Sequence, residues 1–326
     1  MAKNKEKDRE KGEKDLIAPS EPTRAGDVIR ILPEILNALR TGKPVVALES
    51  AVFAQGLPIP ANREAAWRML NAVRARGVIP AITGVVRGKA SVGLEDDELD
   101  WFLGREGVLK LSARDLALAV VKGADGATTV AATLMLAHHV GIEVFATGGI
   151  GGVHREPLYD ESADLVELSR TPMIVVCAGA KSILNLTATM ERLETLGVPV
   201  VGFRTSQLPG FLTVETGIPL PGRVENVEEI VQLYLMHRRL SGQGALVVMQ
   251  PPPREVALPR AQVESAVEEA VAKAEREGVR GGAMTPFLLA ELEQSTRGLS
   301  LGANLALLEH NAALAADIAN ALSRGR

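Results

Sequence analysis

The sequence predicts an α/β fold, a three-layer α/β/α arrangement around a largely parallel or mixed central sheet. Two observations carry this. Short, continuously apolar runs recur along the chain, and most are flanked by segments with helical periodicity, the pattern of strands covered on both faces. Aromatic residues supply only 3% of the 326 residues while 46% are hydrophobic. Such a core is built from aliphatic packing between helices and strands, which favours α/β over a β-sandwich.

The elements follow in order. Residues 1–23 mix lysine, arginine and glutamate with almost no apolar side chain before Leu16. Such a segment buries too little surface to order itself and reads as a disordered charged tail, leaving 24–326 as the folded domain. Asp27 to Leu39 carries Val28, Ile31, Leu32, Ile35 and Leu39 at helical spacing, ended by Gly42 and Pro44. Strands are expected at Val45–Leu48, Ile79–Val86, Ile142–Ala146, Met173–Cys177, Pro199–Phe203 and Ala245–Met249. Between and after them, helices are expected at Ala61–Arg76, with Trp67, Leu70 and Val73 on one side, and at Lys181–Leu196 before Gly197. Pro259–Gly278, Pro286–Leu292 and the Ala-rich Asn304–Leu322 complete the set.

Composition narrows the function. The formal net charge is −4 with no concentrated basic face, which argues against nucleic acid and for a small-molecule substrate. Cys177 is the only cysteine, so an intrachain disulfide and a four-sulfur zinc site are both excluded, and a cytoplasmic location is expected. No apolar run reaches the roughly 18 residues of a membrane span, so no membrane partner is expected.

Four features carry chemistry. Lys181 follows the apolar run Val175-Val176-Cys177 and the small residues Ala178-Gly179-Ala180, at the strand-to-helix junction where α/β proteins put reactive groups. Apolar walls there lower an ammonium pKa toward a nucleophilic amine, and a solvated strand-end lysine is the alternative. Glu49 directly follows the Val45–Leu48 strand, where desolvation would make it a proton donor near neutrality; a structural ion pair is the alternative. Gly148-Gly149-Ile150-Gly151-Gly152, with His154 and Arg155 beyond, would let backbone amides approach a phosphate or sugar, or would simply permit a tight turn. The run lacks the glycine spacing of the dinucleotide fingerprint. Asp160, Glu161 and Asp164 gather three carboxylates in five positions. On one helical turn Asp160 and Asp164 would share a face around a hard cation or sugar hydroxyls, unless they form a solvated acidic loop. Lys110 and the hydroxyls of Thr128-Thr129, ahead of Val130, lie near further strand or helix starts.

Together, Val45-Val46-Ala47-Leu48-Glu49-Ser50, Asp125 to Ala131, Phe145 to Arg155 and Val176 to Ser182 closely resemble the pseudouridine-5′-phosphate glycosidase family. Thr285-Pro286-Phe287-Leu288-Leu289 and the Asn304 segment extend the resemblance over nearly everything after the tail. It implies an α/β/α fold, a homotrimer, and reversible cleavage of pseudouridine 5′-phosphate to uracil and ribose 5-phosphate with one divalent ion per subunit, Mn²⁺ or else Mg²⁺ or another. By motif position it makes Lys181 the covalent lysine, Glu49 the proton donor and Asp160 the metal ligand. Ser162, Ala163, Asp164, Lys110, Val130 and Asn304 fall on substrate-binding positions.

A carbon–carbon glycosidic bond offers no leaving oxygen or nitrogen to protonate, so the carboxylate pair of ordinary glycosidases is insufficient and an amine is needed as electron sink. An imine-forming lyase or glycosidase acting on another C-linked base or phosphosugar, and a non-catalytic phosphosugar-binding protein, are the competing readings. Three segments depart from the family pattern. Ala51-Val52-Phe53-Ala54-Gln55 lacks its Thr and His, Glu156-Pro157-Leu158-Tyr159 is shorter and lacks its Gly and Thr-Phe, and Gln250 replaces an Asn.

Overall fold

A computed structural model describes residues 28–155 and 160–325; the tail expected at 1–23 and the short segment 156–159 lie outside the described residues. Eleven strands form one mixed sheet among them: β1 (Ile29–Ile31), β2 (Val45–Leu48), β3 (Ile79–Val86), β4 (Lys89–Val92), β5 (Val108–Leu111), β6 (Asp125–Thr128), β7 (Val144–Ala146), β8 (Ile174–Cys177), β9 (Val200–Phe203), β10 (Arg223–Val224) and β11 (Leu246–Met249). Their order is β1-β4-β3-β2-β7-β8-β11-β9-β10, with β6 on β3 and β5 on β6. From β3 through β2, β7, β8, β11 and β9 to β10 every pairing is parallel, while β4 and β6 meet β3 antiparallel.

β2, β7, β8, β9 and β11 are buried along their whole length, as strands must be with helices on both faces. The helices of the described residues are α1 (Pro33–Arg40), α2 (Ala61–Arg74), α3 (Asp96–Gly104), α4 (Leu116–Val121), α5 (Val130–His139), α6 (Ala163–Arg170), α7 (Leu186–Thr195), α8 (Val227–Leu240), α9 (Arg260–Glu277), α10 (Met284–Ser295) and α11 (Leu299–Arg324). The longest, α11, buries Asn304, Leu307, Leu308, Asn311, Ala315 and Ile318 and lies along β2, β7 and β8 with α2 and α8 beside it. Elsewhere α5 packs against α6.

Four expectations are corrected. The helix read from Asp27 begins only at Pro33, because the residue before a proline avoids the α region and Leu32 is extended; Ile29–Ile31 instead pairs with β4. In α2 the buried stripe is Ala65, Ala66, Met69, Ala72 and Val73, small enough to let α11 approach, and Trp67 is 66% exposed. The helix read from Lys181 starts at Leu186, capped by Asn185, whose side-chain oxygen accepts from the Ala188 N–H at 3.0 Å. Asp160 and Asp164 share no helical face, since α6 begins at Ala163, capped by Ser162. The remaining predicted strands stand within two residues of their expected bounds, while α10 and α11 extend beyond theirs.

Candidate active site

Three parallel strands set the reacting groups side by side. β2, β7 and β8 are neighbours with aligned direction, so Glu49, Thr147 and the Ala178–Lys181 segment emerge at the same edge. The pairing continues past the strands: Thr147 N–H donates to the Val176 carbonyl at 3.0 Å, Ala178 N–H to Gly148 at 2.8 Å, Ile150 N–H to Gly179 at 3.1 Å and Lys181 N–H to Ile150 at 3.1 Å. Two glycines make this possible. Gly179 has φ +92° with the Pro209 carbonyl 2.3 Å from where a Cβ would stand, and a Cβ on Gly151 would meet Ser162 and Asp164.

A cavity of 370 Å³ opens at this edge, lined among others by Glu49, Lys110, Val130, Ser162, Lys181 and Asn304. Glu49 is 5% exposed and accepts a hydrogen bond from the Thr147 hydroxyl. Burial raises its carboxyl pKa, against the opposing pull of the Lys181 ammonium and the Thr147 hydrogen bond. Among the described residues no arginine pairs with it, and the cations acting on it are Lys181 and Lys110. Lys181 is half-buried, its Nζ donating to the Gly149 carbonyl at 2.9 Å. Lys110 keeps solvent contact, yet surrounding protein lowers its ammonium pKa and Lys181 lowers it further, while Glu49 and Asp164 raise it.

Two helices aim their N-termini at the same space. Val130 and Ala163 are the first residues of α5 and α6, positions whose amides have no intrahelical acceptor. Val130 itself is 1% exposed. Asp164 ties the two helices together: Oδ1 accepts from Ala131 N–H at 3.0 Å and Oδ2 from Gly151 N–H at 2.8 Å. It is thus first a positioning residue, anchoring the glycine run against both helix starts. Behind the cavity, Ser50 donates to the Thr83 carbonyl at 2.6 Å, and the Thr83 hydroxyl lies 2.7 Å from Thr128 and 2.9 Å from Thr133. This buried network fixes the end of β2, and with it Glu49.

The expected metal ligand stands differently. Asp160 lies outside α6, its carbonyl accepting from the His154 N–H at 2.9 Å, and burial lowers the His154 imidazole pKa while Asp160 opposes that. Glu161 is paired with Arg192 at 2.8 Å and Asp164 is committed to amides. Among the described residues no group of three His, Cys, Asp or Glu side chains gathers as a closed metal cage.

Glu49, Lys110, Val130, Ser162, Ala163, Asp164, Lys181 and Asn304 therefore all line one cavity. Sequence reasoning gave no role to Thr147, or to Asn311, whose side-chain N–H donates to the Thr147 carbonyl at 2.9 Å and whose Oδ1 accepts from Gln250 at 3.2 Å. Nor did it find Arg105 and Phe211, which border an adjoining chamber. Both come from segments distant in sequence, and their left-handed backbones, φ 69° and 66°, are shared by Arg87, Arg204 and Arg297.

Comparison with known proteins agrees with this arrangement. The family described as indigoidine synthase A like protein matches residues 34–321. A pseudouridine-5′-phosphate glycosidase of Gemmatimonas aurantiaca is 57% identical over 296 residues, covering 91% of this chain and 97% of the relative. One from Staphylococcus aureus is 46% identical, covering 89% and 95%. Among solved structures, the prealnumycin C-glycosynthase AlnA in complex with ribulose 5-phosphate is 38% identical with a TM-score of 0.85, covering 91% of this chain and 98% of that one. An indigoidine synthase A-like protein from Thermotoga maritima is also 38% identical with a TM-score of 0.85, covering 94% and 100%.

Proposed function

Since the chain belongs to the indigoidine synthase A-like family, alongside relatives that are pseudouridine-5′-phosphate glycosidases, we propose that it cleaves pseudouridine 5′-phosphate reversibly to uracil and ribose 5-phosphate. The observation that carries this is the convergence of a buried Glu49, its carboxyl pKa raised by burial, and the Lys181 amine on one cavity bordered by the N-termini of α5 and α6. The phosphate suits the α5 N-terminus with Lys110 and the Thr129 hydroxyl, whose oxygen is buried without a partner. Ser162 and the α6 N-terminus are left for the sugar.

In the proposed chemistry Lys181 Nζ bonds to C1 of the ribose as the C1–O4 ring bond breaks, O4 keeping the pair and taking a proton. Glu49 then gives its proton to uracil C5. The nitrogen lone pair becomes the C1=N bond, and the C1–C5 pair returns to the uracil ring as its C5=C6 double bond. Water hydrolyses the resulting imine, releasing ribose 5-phosphate and the free lysine. Thr147 holds the Glu49 carboxyl in place throughout.

We assign the expected Mn²⁺, or another hard divalent ion, to Asp160. A single carboxylate fits an ion that keeps most of its water shell and does not fit a closed protein cage. Such an ion would supply polarisation of a bound water or carbonyl oxygen. The homotrimer is likewise part of the proposal, supported by exposed apolar side chains such as Leu118, 63% exposed, and Val121, 81% exposed, on α4. A cytoplasmic location accords with the unpaired buried Cys177, and no helix of the described residues is long and apolar enough to cross a membrane.

The deciding experiment incubates the protein with pseudouridine 5′-phosphate and Mn²⁺, follows uracil release, and adds borohydride in the presence of ribose 5-phosphate. Uracil release, with a reduced sugar adduct on the parent protein and none on Lys181→Ala, is the expected result. Tight binding without turnover would favour a phosphosugar-binding protein, and an equal adduct on Lys181→Ala would remove the imine.

A further inference from the structure

The chemistry above asks Glu49 to deliver one proton, and a carboxyl group has two oxygens, either of which can carry it. The structure tells them apart. Oε1 accepts the hydrogen bond from the Thr147 hydroxyl, and among the described residues that hydroxyl has no other partner. Thr147 is fully buried, so its hydroxyl cannot turn to bulk solvent instead. Glu49 meanwhile lines the reaction cavity, where its second oxygen is the one left for a substrate.

Thr147 is itself braced from both sides. Its N–H donates to the Val176 carbonyl of β8 at 3.0 Å, and its carbonyl accepts from Asn311 Nδ2 of α11 at 2.9 Å, a group that also reaches the Gly148 carbonyl at 3.3 Å. The Asn311 amide is turned that way by Gln250, whose Nε2 donates to Asn311 Oδ1 at 3.2 Å; an amide whose oxygen is engaged on one side must present its NH₂ on the other. Gln250 is fixed in turn at the end of β11, its N–H donating to the Cys177 carbonyl at 2.8 Å. Asn311 and Gln250 are both buried. Segments far apart in sequence therefore converge to hold one hydroxyl against one carboxylate oxygen.

A protonated carboxyl has one oxygen that donates and one that only accepts. Were the proton on Oε1, the Thr147 hydroxyl would have to accept it and turn its own hydrogen away from its one partner, and a buried donor left unpaired is the costlier state. We propose that Thr147 is a positioning residue for the reaction: by engaging Oε1 it places the transferable proton on Oε2, the oxygen left to the substrate. This rests on the reaction proposed above. The same hydrogen bond bears on acidity. Burial raises the Glu49 pKa, the Lys181 ammonium and the Thr147 hydroxyl lower it, Asp164 raises it and Lys110 lowers it. Removing the hydroxyl leaves those three charges in place and moves the pKa further up.

Two variants test it: Thr147→Val keeps the branched shape and loses the hydroxyl, whereas Thr147→Ser keeps the hydroxyl. With pseudouridine 5′-phosphate and Mn²⁺, Thr147→Val should lower kcat by roughly 10–100-fold, the cost of a misplaced reacting group, and leave KM within about twofold. The limb on which kcat falls as Glu49 loses its proton should move to higher pH. Thr147→Ser should recover most of kcat and the parent's limb. Borohydride trapping of ribose 5-phosphate on Lys181 needs no proton at uracil C5, and unchanged trapping in both variants would show that each is folded with its sugar site intact. Parent-like kcat and pH dependence in Thr147→Val would overturn the proposal. So would an equal loss in Thr147→Ser, which would assign the effect to packing, or trapping that falls in step with turnover, which would make the role merely structural. If the parent protein releases no uracil, the reaction itself fails and the positioning role falls with it; normal parent turnover with an unaltered Thr147→Val removes the positioning role alone.

Discussion

Glu49 concentrates the chemistry in one ionisable group. Its carboxyl is buried and its pKa is raised above 4.5 chiefly by that burial, so the folded state holds its proton over a pH range in which the unfolded chain has lost it. The sign follows: the contribution to stability is fully present below about pH 4.5 and is lost as pH rises through the folded pKa. Glu49→Gln mimics the protonated form. Its thermal stability relative to the parent should therefore grow from about pH 4.5 upward and then level off, as differential scanning calorimetry across pH would read. The same variant should lose turnover by roughly 10²–10⁴-fold, the range for a general acid, while still being trapped by ribose 5-phosphate and borohydride. At Lys181 the expected loss is of the covalent adduct itself.

Asp164 shows how elements cooperate. Each of its carboxylate oxygens accepts a main-chain N–H, one from α5 and one from the glycine run, and its own helix is α6. Asp164→Asn puts an NH₂ against one of those N–H groups. It should cost about 1–3 kcal/mol, the penalty for unpaired buried groups, in urea denaturation, and should weaken ribose 5-phosphate trapping because two helix N-termini lose their alignment. Asn311 does similar work from α11, and Asn311→Ala should destabilise the protein by about 1–3 kcal/mol through the released Thr147 carbonyl. Six of the eleven strands, β2, β3, β7, β8, β9 and β11, and six of the helices, α1, α2, α7, α9, α10 and α11, were legible because a 3.6 or continuous apolar pattern needs only local sequence, whereas β1, β4, β5, β6, β10 and the helices α3 to α6 and α8 were not picked out. Lys181 was legible as reactive but misplaced as a helix start, since the 181–185 turn is fixed by bonds to Ile150 and Val153, some thirty residues earlier.

At the scale of the whole molecule, two proposals await solution measurement. Light scattering after size exclusion should give a mass three times 34.6 kDa, and replacing Leu118 and Val121 on α4 by Lys should shift it toward one; an unchanged trimer would clear α4 of the interface. Chelation with EDTA should abolish uracil release, restored by Mn²⁺, and Asp160→Ala should raise the Mn²⁺ concentration needed for half-activity. Restoration at the parent's Mn²⁺ concentration would place the ion elsewhere.

By itself the sequence determined the α/β class, the strand ends that carry Glu49 and Lys181, and the family, because apolar runs and contiguous motifs are properties of neighbours along the chain. The tertiary structure decided what those residues face. It gathered Lys110, Val130, Ser162 and Asn304 around one cavity, consigned Asp164 to holding two helices, and left Gln55 and Arg105 with unpaired polar atoms beside it. Whether a buried polar atom has a partner depends on segments far apart in sequence, and no periodicity or motif records it.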